Sequence, residues 1–277
     1  MKKTKRKGSI LGTLLIAVFL FGMIFPFFWI LITSFKPDGE IFGSDAFQVI
    51  TRHPTLHAYS EVLFNKGILT SVKNSLIVAT STTFYIIAIA TLAAYAISRF
   101  HFWGKNLLLG LILAVSMFPQ MIVIGPVYNM FLHFHLTNSY AVILPYSTIT
   151  LPIAVWILVT HFNQIPLALE ESAKIDGASS LQILAKIVFP LAAPGVFTTA
   201  IIVFIAAWNE FLLTITLNSN ADYHTVPVAV SYLRTQFQIL WSEVSAATII
   251  VTIPTLIIVL LFQKKIVSGL TSGGVKE

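Results

Sequence analysis

The sequence predicts an all-α, polytopic membrane protein with six transmembrane helices and one charged helical segment between two of them. Of its 277 residues, 56% are hydrophobic and only 10% are charged, and the mean hydropathy is +0.86. These values lie far outside the range of soluble globular domains. Apolar stretches of about 20 residues recur along the chain. A single polar segment, residues 165–195, breaks this pattern in the second half.

Each apolar stretch is long enough to cross the hydrocarbon core of a bilayer, which is about 30 Å thick. The six predicted spans lie near residues 10–34, 75–98, 106–132, 139–161, 195–217 and 244–263. The first follows the basic sequence MKKTKRK and resembles a signal peptide. Its uncharged run, Gly8 to Phe35, is too long for the apolar region of such a peptide, so we interpret it as a retained span.

The distribution of basic residues predicts the orientation. Twelve of the 17 Lys and Arg residues fall at the two termini or in the segments after the second and fourth spans. The positive-inside rule therefore places both termini and residues 165–195 in the cytoplasm. This topology accounts for the net charge of +6, so we expect no nucleic-acid partner. The absence of cysteine excludes disulfides, cysteine-based zinc sites and thiol catalysis.

The charged segment reads IPLALEESAKIDGASSLQILAKIVFPLAAPG. No Asp, Glu, Lys or Arg occurs between Asn106 and Leu169, and then five occur within seventeen residues. A segment of this polarity does not insert into a bilayer. It therefore has a function in water, and docking on another protein fits that requirement.

The order of residues in this segment predicts a helix, a sharp turn and a second helix. The first helix is expected over Pro166–Asp176, with Gly177 in the left-handed conformation that often follows a helix. Ser179 or Ser180 is placed to cap the second helix, which is expected to stop before Pro190.

Glu210, in the sequence AAWNEFLL, is the only acidic residue in a predicted span. A charge at the bilayer centre costs about 2.5–3.5 kcal/mol on insertion scales, so Glu210 is expected to face a partner or an aqueous cavity. With Trp208 and Asn209 it forms a set of aromatic, amide and carboxylate groups that suits hydroxyl-rich ligands. Gln120 and Asn129 are further candidates for a polar path. The alternative is a structural role, in which Glu210 lies nearer the outer interface or pairs with a second subunit.

Other kinds of site are not predicted. The histidines show no HExxH pattern, and Gly104-Lys105 lacks the remaining residues of a phosphate-binding loop. No pairing of nucleophile and base is visible. We therefore expect neither a metal site nor an enzymatic activity in this chain.

The charged segment resembles a known signature. Glu171-Ser172-Ala173, three residues, Gly177, nine residues, Ile187, one residue and then Phe189-Pro190 match the spacing of the EAA motif of binding-protein-dependent ABC transporter permeases. Ser172 and Phe189 depart from the usual residues. AWNEFLL at 207–213 and FQKKIVSGLTSGGVKE at 262–277 resemble the second permease subunit of carbohydrate importers of the maltose and trehalose type. The resemblance covers essentially the whole chain.

The resemblance implies the type I ABC importer permease fold and a function as the transmembrane permease subunit of an ATP-driven importer for a di- or oligosaccharide. It implies a bacterial or archaeal cytoplasmic membrane protein whose partners are a homologous permease in a heterodimer, two copies of a cytoplasmic ATPase and an extracytoplasmic solute-binding protein. ATP and Mg²⁺ would be bound by the ATPases, with no cofactor on this chain. The alternative is a proton-coupled secondary transporter that uses Glu210, but such a protein has no need of the cytoplasmic helix-turn-helix.

The resemblance also implies residue roles. Glu171 would pair with a basic residue of the ATPase, Gly177 would permit the turn, and Ile187 would pack the motif on the permease core. The residues expected in coupling are Glu170, Glu171, Ala173, Asp176, Gly177, Ile187 and Pro190. The C-terminal tail would reach between the two ATPases through Ser268, Gly269, Thr271 and Gly273. The expected division is residues 1–70 for the N-terminal tail, first helix and external segment, 71–264 for the permease core, and 265–277 for the tail.

Overall fold

The computed structural model describes residues 10–42, 47–49, 51–233 and 239–271, and the regular structure within these ranges is helical, as predicted. The main helices are α1 (Ile10–Thr33), α2 (Ile68–Arg99), α3 (Lys105–Ser116), α4 (Gln120–His133), α5 (Ser147–Asn163), α6 (Leu167–Ile175), α7 (Ser180–Leu191), α8 (Ala193–Trp208), α9 (Leu212–Leu217), α10 (Val226–Ser231) and α11 (Trp241–Thr271). Short helical segments lie at Asp38–Ile41, His57–Ser60, Glu61–Asn65, Tyr140–Ile143 and Ala221–Tyr223.

Four helical stretches of the described chain are long and apolar enough to cross a membrane. They are Gly12–Thr33, Ile68–Arg99, Tyr140–Asn163 and Trp241–Gln263. Two helix pairs satisfy the same criteria together but are bent, α3 with α4 by 91° and α7 with α8 by 81°. The predicted multi-pass membrane architecture is confirmed. The number of candidate spans reaches the predicted six if each bent pair counts as one, but the second pair, Ser180–Leu191 with Ala193–Trp208, does not coincide with the fifth predicted span, residues 195–217.

The third predicted span, residues 106–132, is not one continuous helix. α3 ends at Ser116 and α4 begins at Gln120, with Pro119 in the position before the first helical residue. Proline lacks an N–H group and disfavours helical conformation in the residue that precedes it. The chain therefore turns sharply here instead of continuing along one axis.

The fifth predicted span, residues 195–217, is also not one continuous helix, although no proline lies at this break. α8 ends at Trp208, and α9 resumes only at Leu212. On the other side of α8, α7 contains a π-helical stretch, Leu184–Val188, and continues through Pro190 to Leu191. The prediction that this helix stops before Pro190 was therefore wrong, because Pro190 lies early in a new α-helical segment that follows the π turn.

The chain forms two compact units, one of residues 1–68 with 230–252 and the other of residues 69–229 with 253–277. The core of the larger unit is built from α2, α5, α7 and α8, whose buried residues include Ile86, Ala90, Ala94, Ala154, Val155, Leu158, Phe162, Ile183, Val188 and Val203. Several of these residues are alanine, which allows helix backbones to approach closely in a membrane protein.

Two of these helices make a particularly close contact. Gly195 on α8 faces the imidazole ring of His161 on α5, and a Cβ at position 195 would overlap that ring. The contact fixes the position of α8 directly after the charged segment.

In the smaller unit, Glu40 organises the segment after α1. Its carboxylate accepts the Thr51 hydroxyl at 2.5 Å and the backbone N–H groups of Arg52 at 3.3 Å and His53 at 3.2 Å. The hydrogen bond from Thr51 is the main reason that the pKa of Glu40 lies below its usual value.

Candidate functional site

The charged segment forms the predicted helix, turn and helix. Pro166 has extended ψ and precedes α6, so the helix begins one residue later than expected. Gly177 follows it with φ of 82°, in the left-handed region. Ser179, rather than Ser180, caps α7: its hydroxyl accepts the Gln182 N–H, and the Gln182 side chain accepts the Ser179 N–H at 2.8 Å. This reciprocal pair is a capping box, which fixes where the second helix starts.

The outer surface of this segment carries apolar side chains among its charges. Ile175 is 88% exposed and Leu181 is 69% exposed. Glu171 and Lys174 lie on the same exposed surface. Large aliphatic side chains in a charged, helical segment are typical of a surface that another protein covers.

Glu170, another of the residues expected in coupling, does not lie on that surface. It is buried, and its carboxylate accepts the Arg99 Nε–H at 2.5 Å and the Tyr95 hydroxyl at 3.2 Å. Arg99 also donates from Nη2 to the carbonyl oxygens of Phe162 at 2.8 Å and Ile165 at 3.2 Å. Both oxygens of the Glu170 carboxylate are therefore paired inside its own chain, and its role in coupling stays a prediction.

The cluster around Glu170 was missed from the sequence. The sequence predicts only that Arg99 is one of the twelve basic residues on the cytoplasmic side, and it predicts nothing for Tyr95. Two features of the sequence were compatible with the pairing. Arg99 directly follows the second predicted span, and Glu170 begins the acidic stretch that is predicted on the same side of the membrane. Their separation of 71 residues gives no local pattern that pairs them.

The remaining residues expected in coupling have varied surroundings. Ala173 is half-buried and packs against the core, and Ile187 is half-buried within the π turn of α7. Glu171, Asp176 and Pro190 are exposed. Of the predicted tail contacts, Ser268, Gly269 and Thr271 lie within α11, whereas Gly273 lies outside the described residues.

The second predicted site centres on Glu210, which lies in the break between α8 and α9. Its carboxylate accepts the backbone N–H groups of Leu213 at 2.7 Å and Thr214 at 3.2 Å. These groups lie in the first turn of α9, where N–H groups have no partner within the helix. Inside a membrane each unsatisfied backbone group is costly, so the carboxylate of Glu210 stabilises the break.

Gln120 is the one predicted path residue that Glu210 contacts among the described side chains. Its amide nitrogen lies 3.5 Å from Glu210, and it opens α4 at the other helix break. The two breaks therefore meet. A cavity of about 270 Å³ adjoins Gln120 and is lined also by Val115, Ser116, Phe118, Val123, Thr148, Ile149 and Leu213.

The other predicted path residues do not join this contact. Trp208 is buried and stacks on Phe204 with ring centroids 5.8 Å apart. Asn209 is exposed and donates to the Ile205 carbonyl of its own helix. Asn129 is exposed on α4. Trp208, Asn209 and Glu210 therefore do not form the shared ligand surface that their adjacency suggested.

A third polar cluster, which sequence reasoning missed, lies at the start of α2. Asn74 donates to the carbonyl oxygens of Asp222 at 2.8 Å and His224 at 3.0 Å, and it accepts the Tyr140 hydroxyl at 2.8 Å. Burial lowers the pKa of His224, although hydrogen bonds to the backbone of its neighbours act in the opposite direction. The cluster ties the loop after α9 to α2. Within the described residues, no group of three His, Asp or Glu side chains is arranged to hold a metal ion.

Comparison with known proteins assigns a family to this arrangement. Residues 86–272 match the family model described as "Binding-protein-dependent transport system inner membrane component". The match includes the charged segment, both helix breaks and all of α11.

Several relatives are similar over nearly their full length. The trehalose/maltose transport system permease protein MalG of Thermococcus litoralis is 40% identical, with 98% of this chain and 97% of the relative covered. The sulfoquinovosyl glycerol transport system permease protein SmoH of Agrobacterium fabrum is 38% identical, with 97% and 94% covered. The trehalose transport system permease protein SugB of Mycobacterium tuberculosis is 37% identical, with 97% and 96% covered.

The fold is also similar to a solved structure. A chain of a bacterial ABC transporter involved in the import of the acidic polysaccharide alginate superposes with a TM-score of 0.82 at 20% sequence identity, with 95% of this chain and 98% of that chain covered. At that identity the likeness supports the importer permease fold.

Proposed function

Because this chain belongs to the family of binding-protein-dependent transport system inner membrane components, we propose that it forms half of the membrane pathway of an ATP-driven importer whose substrate is a sugar. The sugar class follows from relatives named for trehalose, maltose and sulfoquinovosyl glycerol transport. Trehalose and maltose are disaccharides, which supports a di- or oligosaccharide as the substrate. The observation that carries the proposal is the exposed apolar and charged surface of the segment around α6, which is built to receive a partner.

Each partner in the proposed complex has a separate function. Two copies of a cytoplasmic ATPase bind ATP and Mg²⁺, and one of them docks on the surface around α6. A homologous permease completes the pathway as a heterodimer, and a solute-binding protein delivers the sugar from outside. Both termini lie in the cytoplasm, where the end of α11 approaches the ATPases.

Within this mechanism the chain has two states, which its partners bias through different contacts. Glu171 on the exposed face of α6 pairs with a basic residue of the ATPase. The meeting of the two helix breaks at Gln120 and Glu210 lies beside the sugar pathway. Closure of the ATPases displaces α6, and the membrane helices follow.

A proton-coupled secondary transporter that relays protons through Glu210 is not supported. Both oxygens of the Glu210 carboxylate accept backbone N–H groups of α9. These hydrogen bonds occupy the carboxylate at the first turn of α9, which opposes a relay role. The similar proteins are permeases of binding-protein-dependent systems, which also argues against it.

Reconstitution tests the proposal. The chain is co-purified with its partner permease, ATPase and binding protein, and the complex is placed in liposomes. We expect uptake of radiolabelled trehalose or maltose that requires ATP inside the liposome and the binding protein outside, and that an ionophore does not abolish. Uptake that is driven by a proton gradient without ATP would refute the proposal.

A variant tests the docking surface separately. Burying an aliphatic side chain contributes about 1.5–3 kcal/mol, so Ile175→Asp should weaken ATPase binding by about tenfold or more. Asn106→Asp adds the same charge elsewhere on the predicted cytoplasmic side and should leave binding unchanged. Equal ATPase affinity in both variants would remove Ile175 from the interface.

A further inference from the structure

We propose that Arg99 is a positioning residue that joins α6 to the ends of α2 and α5, so that displacement of α6 reaches both membrane helices through one buried guanidinium. This inference rests on the proposed function, because it concerns how motion imposed by the ATPases enters the membrane. It assigns a role to a residue outside the charged segment.

The geometry places one side chain among three elements. Arg99 is the last residue of α2. Its Nε–H donates to Glu170 of α6 at 2.5 Å, and its Nη2 donates to the carbonyl oxygens of Phe162 and Ile165 at the end of α5. The Phe162 carbonyl also accepts the Ile165 N–H at 3.1 Å, so Arg99 supplies a further donor to the turn that ends α5.

The attachment of α6 depends on this contact to an unusual degree. Glu170 is the only buried residue of α6. Its side chain is 2% exposed, and that of Arg99 is 7% exposed. A helix normally stays attached to its protein through an apolar stripe, but α6 has only the half-buried Ala173 for this purpose. The ion pair therefore holds α6 in place and sets its direction.

The ion pair between Arg99 and Glu170 also transmits a displacement of α6 to the other two helices. In a low-dielectric interior, breaking an ion pair leaves an uncompensated charge, so the pair resists separation. The Tyr95 hydroxyl on the second oxygen of Glu170 restrains the carboxylate further. When α6 moves, the ends of α2 and α5 are drawn with it.

The chemistry requires arginine at this position. A guanidinium is a planar group whose donors point in fixed directions, so Nε can serve Glu170 while Nη2 serves the two carbonyls. A lysine ammonium is a point charge on a flexible stem, and it cannot hold that arrangement rigidly. Lysine should preserve the charge but lose the alignment.

The experiment uses the complete complex in liposomes, with sugar uptake per ATP hydrolysed as the readout. Three forms are compared with wild type: Arg99→Lys, the apolar pair Arg99→Met with Glu170→Leu, and Ser98→Ala. The apolar pair keeps the site filled and removes both charges together, which buried ion pairs often tolerate without loss of stability. Ser98→Ala is the matched control, because that hydroxyl bonds only within its own helix, to Ala94.

We expect both Arg99 forms to assemble and to hydrolyse ATP, with uptake per ATP lowered by about tenfold. Hydrogen exchange of the amides of residues 167–175 should be faster than in wild type. Ser98→Ala should match wild type in each measurement. Wild-type uptake per ATP in the apolar pair would overturn the proposal, because packing alone would then suffice.

If the Arg99 forms fail to assemble, Tyr95→Phe decides the matter. It removes one hydrogen bond to Glu170 and leaves the ion pair, so a smaller fall in uptake per ATP is expected. Unchanged uptake per ATP and unchanged hydrogen exchange in Tyr95→Phe would overturn the proposal. Absence of ATP-dependent uptake in the wild-type complex would instead refute the proposed function, so the two failures are distinguishable.

Discussion

Gly195 of α8 lies against the imidazole ring of His161 of α5 with no room for a Cβ between them. Interfaces between membrane helices are often built on small residues that let backbones approach closely. Here the small residue faces a ring rather than another backbone. The position of α8 after the charged segment therefore depends on the absence of a single methyl group.

The first prediction concerns this contact. Gly195→Ala forces the His161 ring to shift, and overpacking of this kind typically costs about 1–3 kcal/mol. We expect a lower thermal unfolding temperature for the purified protein in detergent. Gly110→Ala in α3 is the matched control, because a Cβ there meets nothing within 4 Å. A double variant, Gly195→Ala with His161→Ala, should recover most of the loss, and an unchanged unfolding temperature in Gly195→Ala would contradict the contact.

The second prediction concerns the turn after α6. Gly177 has φ of 82° with open space around its Cα, so substitution is limited by backbone conformation and not by a steric clash. A β-branched side chain in this region costs about 1–2 kcal/mol. Gly177→Val should leave the complex assembled but uncouple ATP hydrolysis from sugar uptake.

Gly177→Asn provides the comparison, because asparagine tolerates the left-handed region better than other residues that carry a side chain. We expect it to retain most of the coupling. Wild-type coupling in Gly177→Val would remove the turn from the mechanism. Equal uncoupling by valine and asparagine would show that the ATPase contacts this position directly.

The third prediction concerns Glu210. Glu210→Gln keeps the shape of the side chain but replaces one oxygen with an NH₂ group, which faces donors in the first turn of α9. Leaving such a group unsatisfied costs about 1–3 kcal/mol. We expect lower thermal stability and altered uptake kinetics in a complex that still assembles.

The two readouts separate the possible roles of Glu210. Lower stability with unchanged uptake kinetics would make Glu210 a structural cap alone. Gln120→Leu, which removes the other partner at the meeting of the breaks, should alter uptake kinetics with a smaller loss of stability. If neither quantity changes in Glu210→Gln, the cap on α9 does not contribute to the fold.

The fourth prediction is a pH dependence at the Asn74 cluster. Burial holds the pKa of His224 below its ordinary value of 6.5, so the folded protein binds this proton less readily than the unfolded chain does. Stability from the neutral ring is therefore present above pH 6.5 and is lost as the pH falls below it. Unfolding temperatures measured from pH 8 to pH 5 should drop more steeply for wild type than for His224→Gln. Parallel curves would contradict a buried neutral histidine.

The charged segment shows what local chemistry can predict. Gly177 and Ser179 each act on the residues immediately around them, through a left-handed φ and a side-chain cap, and both were expected from the sequence. Hydropathy likewise predicted the membrane class, because an apolar run has few alternatives to a bilayer.

The rest depends on contacts across the fold. No local rule pairs Arg99 with Glu170, and the burial of Glu170 could not be predicted because acidic residues are normally exposed. Hydropathy could not predict the helix breaks, because it measures the polarity of a segment and not the direction in which its backbone runs. Pro119 marks one break, but Pro152 and Pro254 lie inside continuous helices, so proline alone is no guide.

The π turn at Leu184–Val188 lies between the docking surface and α8. The number of residues in the charged segment therefore determines how the docking surface is rotated about the helix axis relative to α8. A π turn holds one more residue than the α-helical turn that would replace it, and each residue of an α-helix advances the side chain by about 100°. Deleting one residue together with the π turn would keep that rotation, but deleting one from the α-helical turn before it, Ser180–Ile183, would rotate everything before the deletion by about 100° relative to α8. The docking surface would then face away from its partner. Anyone who grafts this segment onto another permease must therefore preserve its residue count before its residue types.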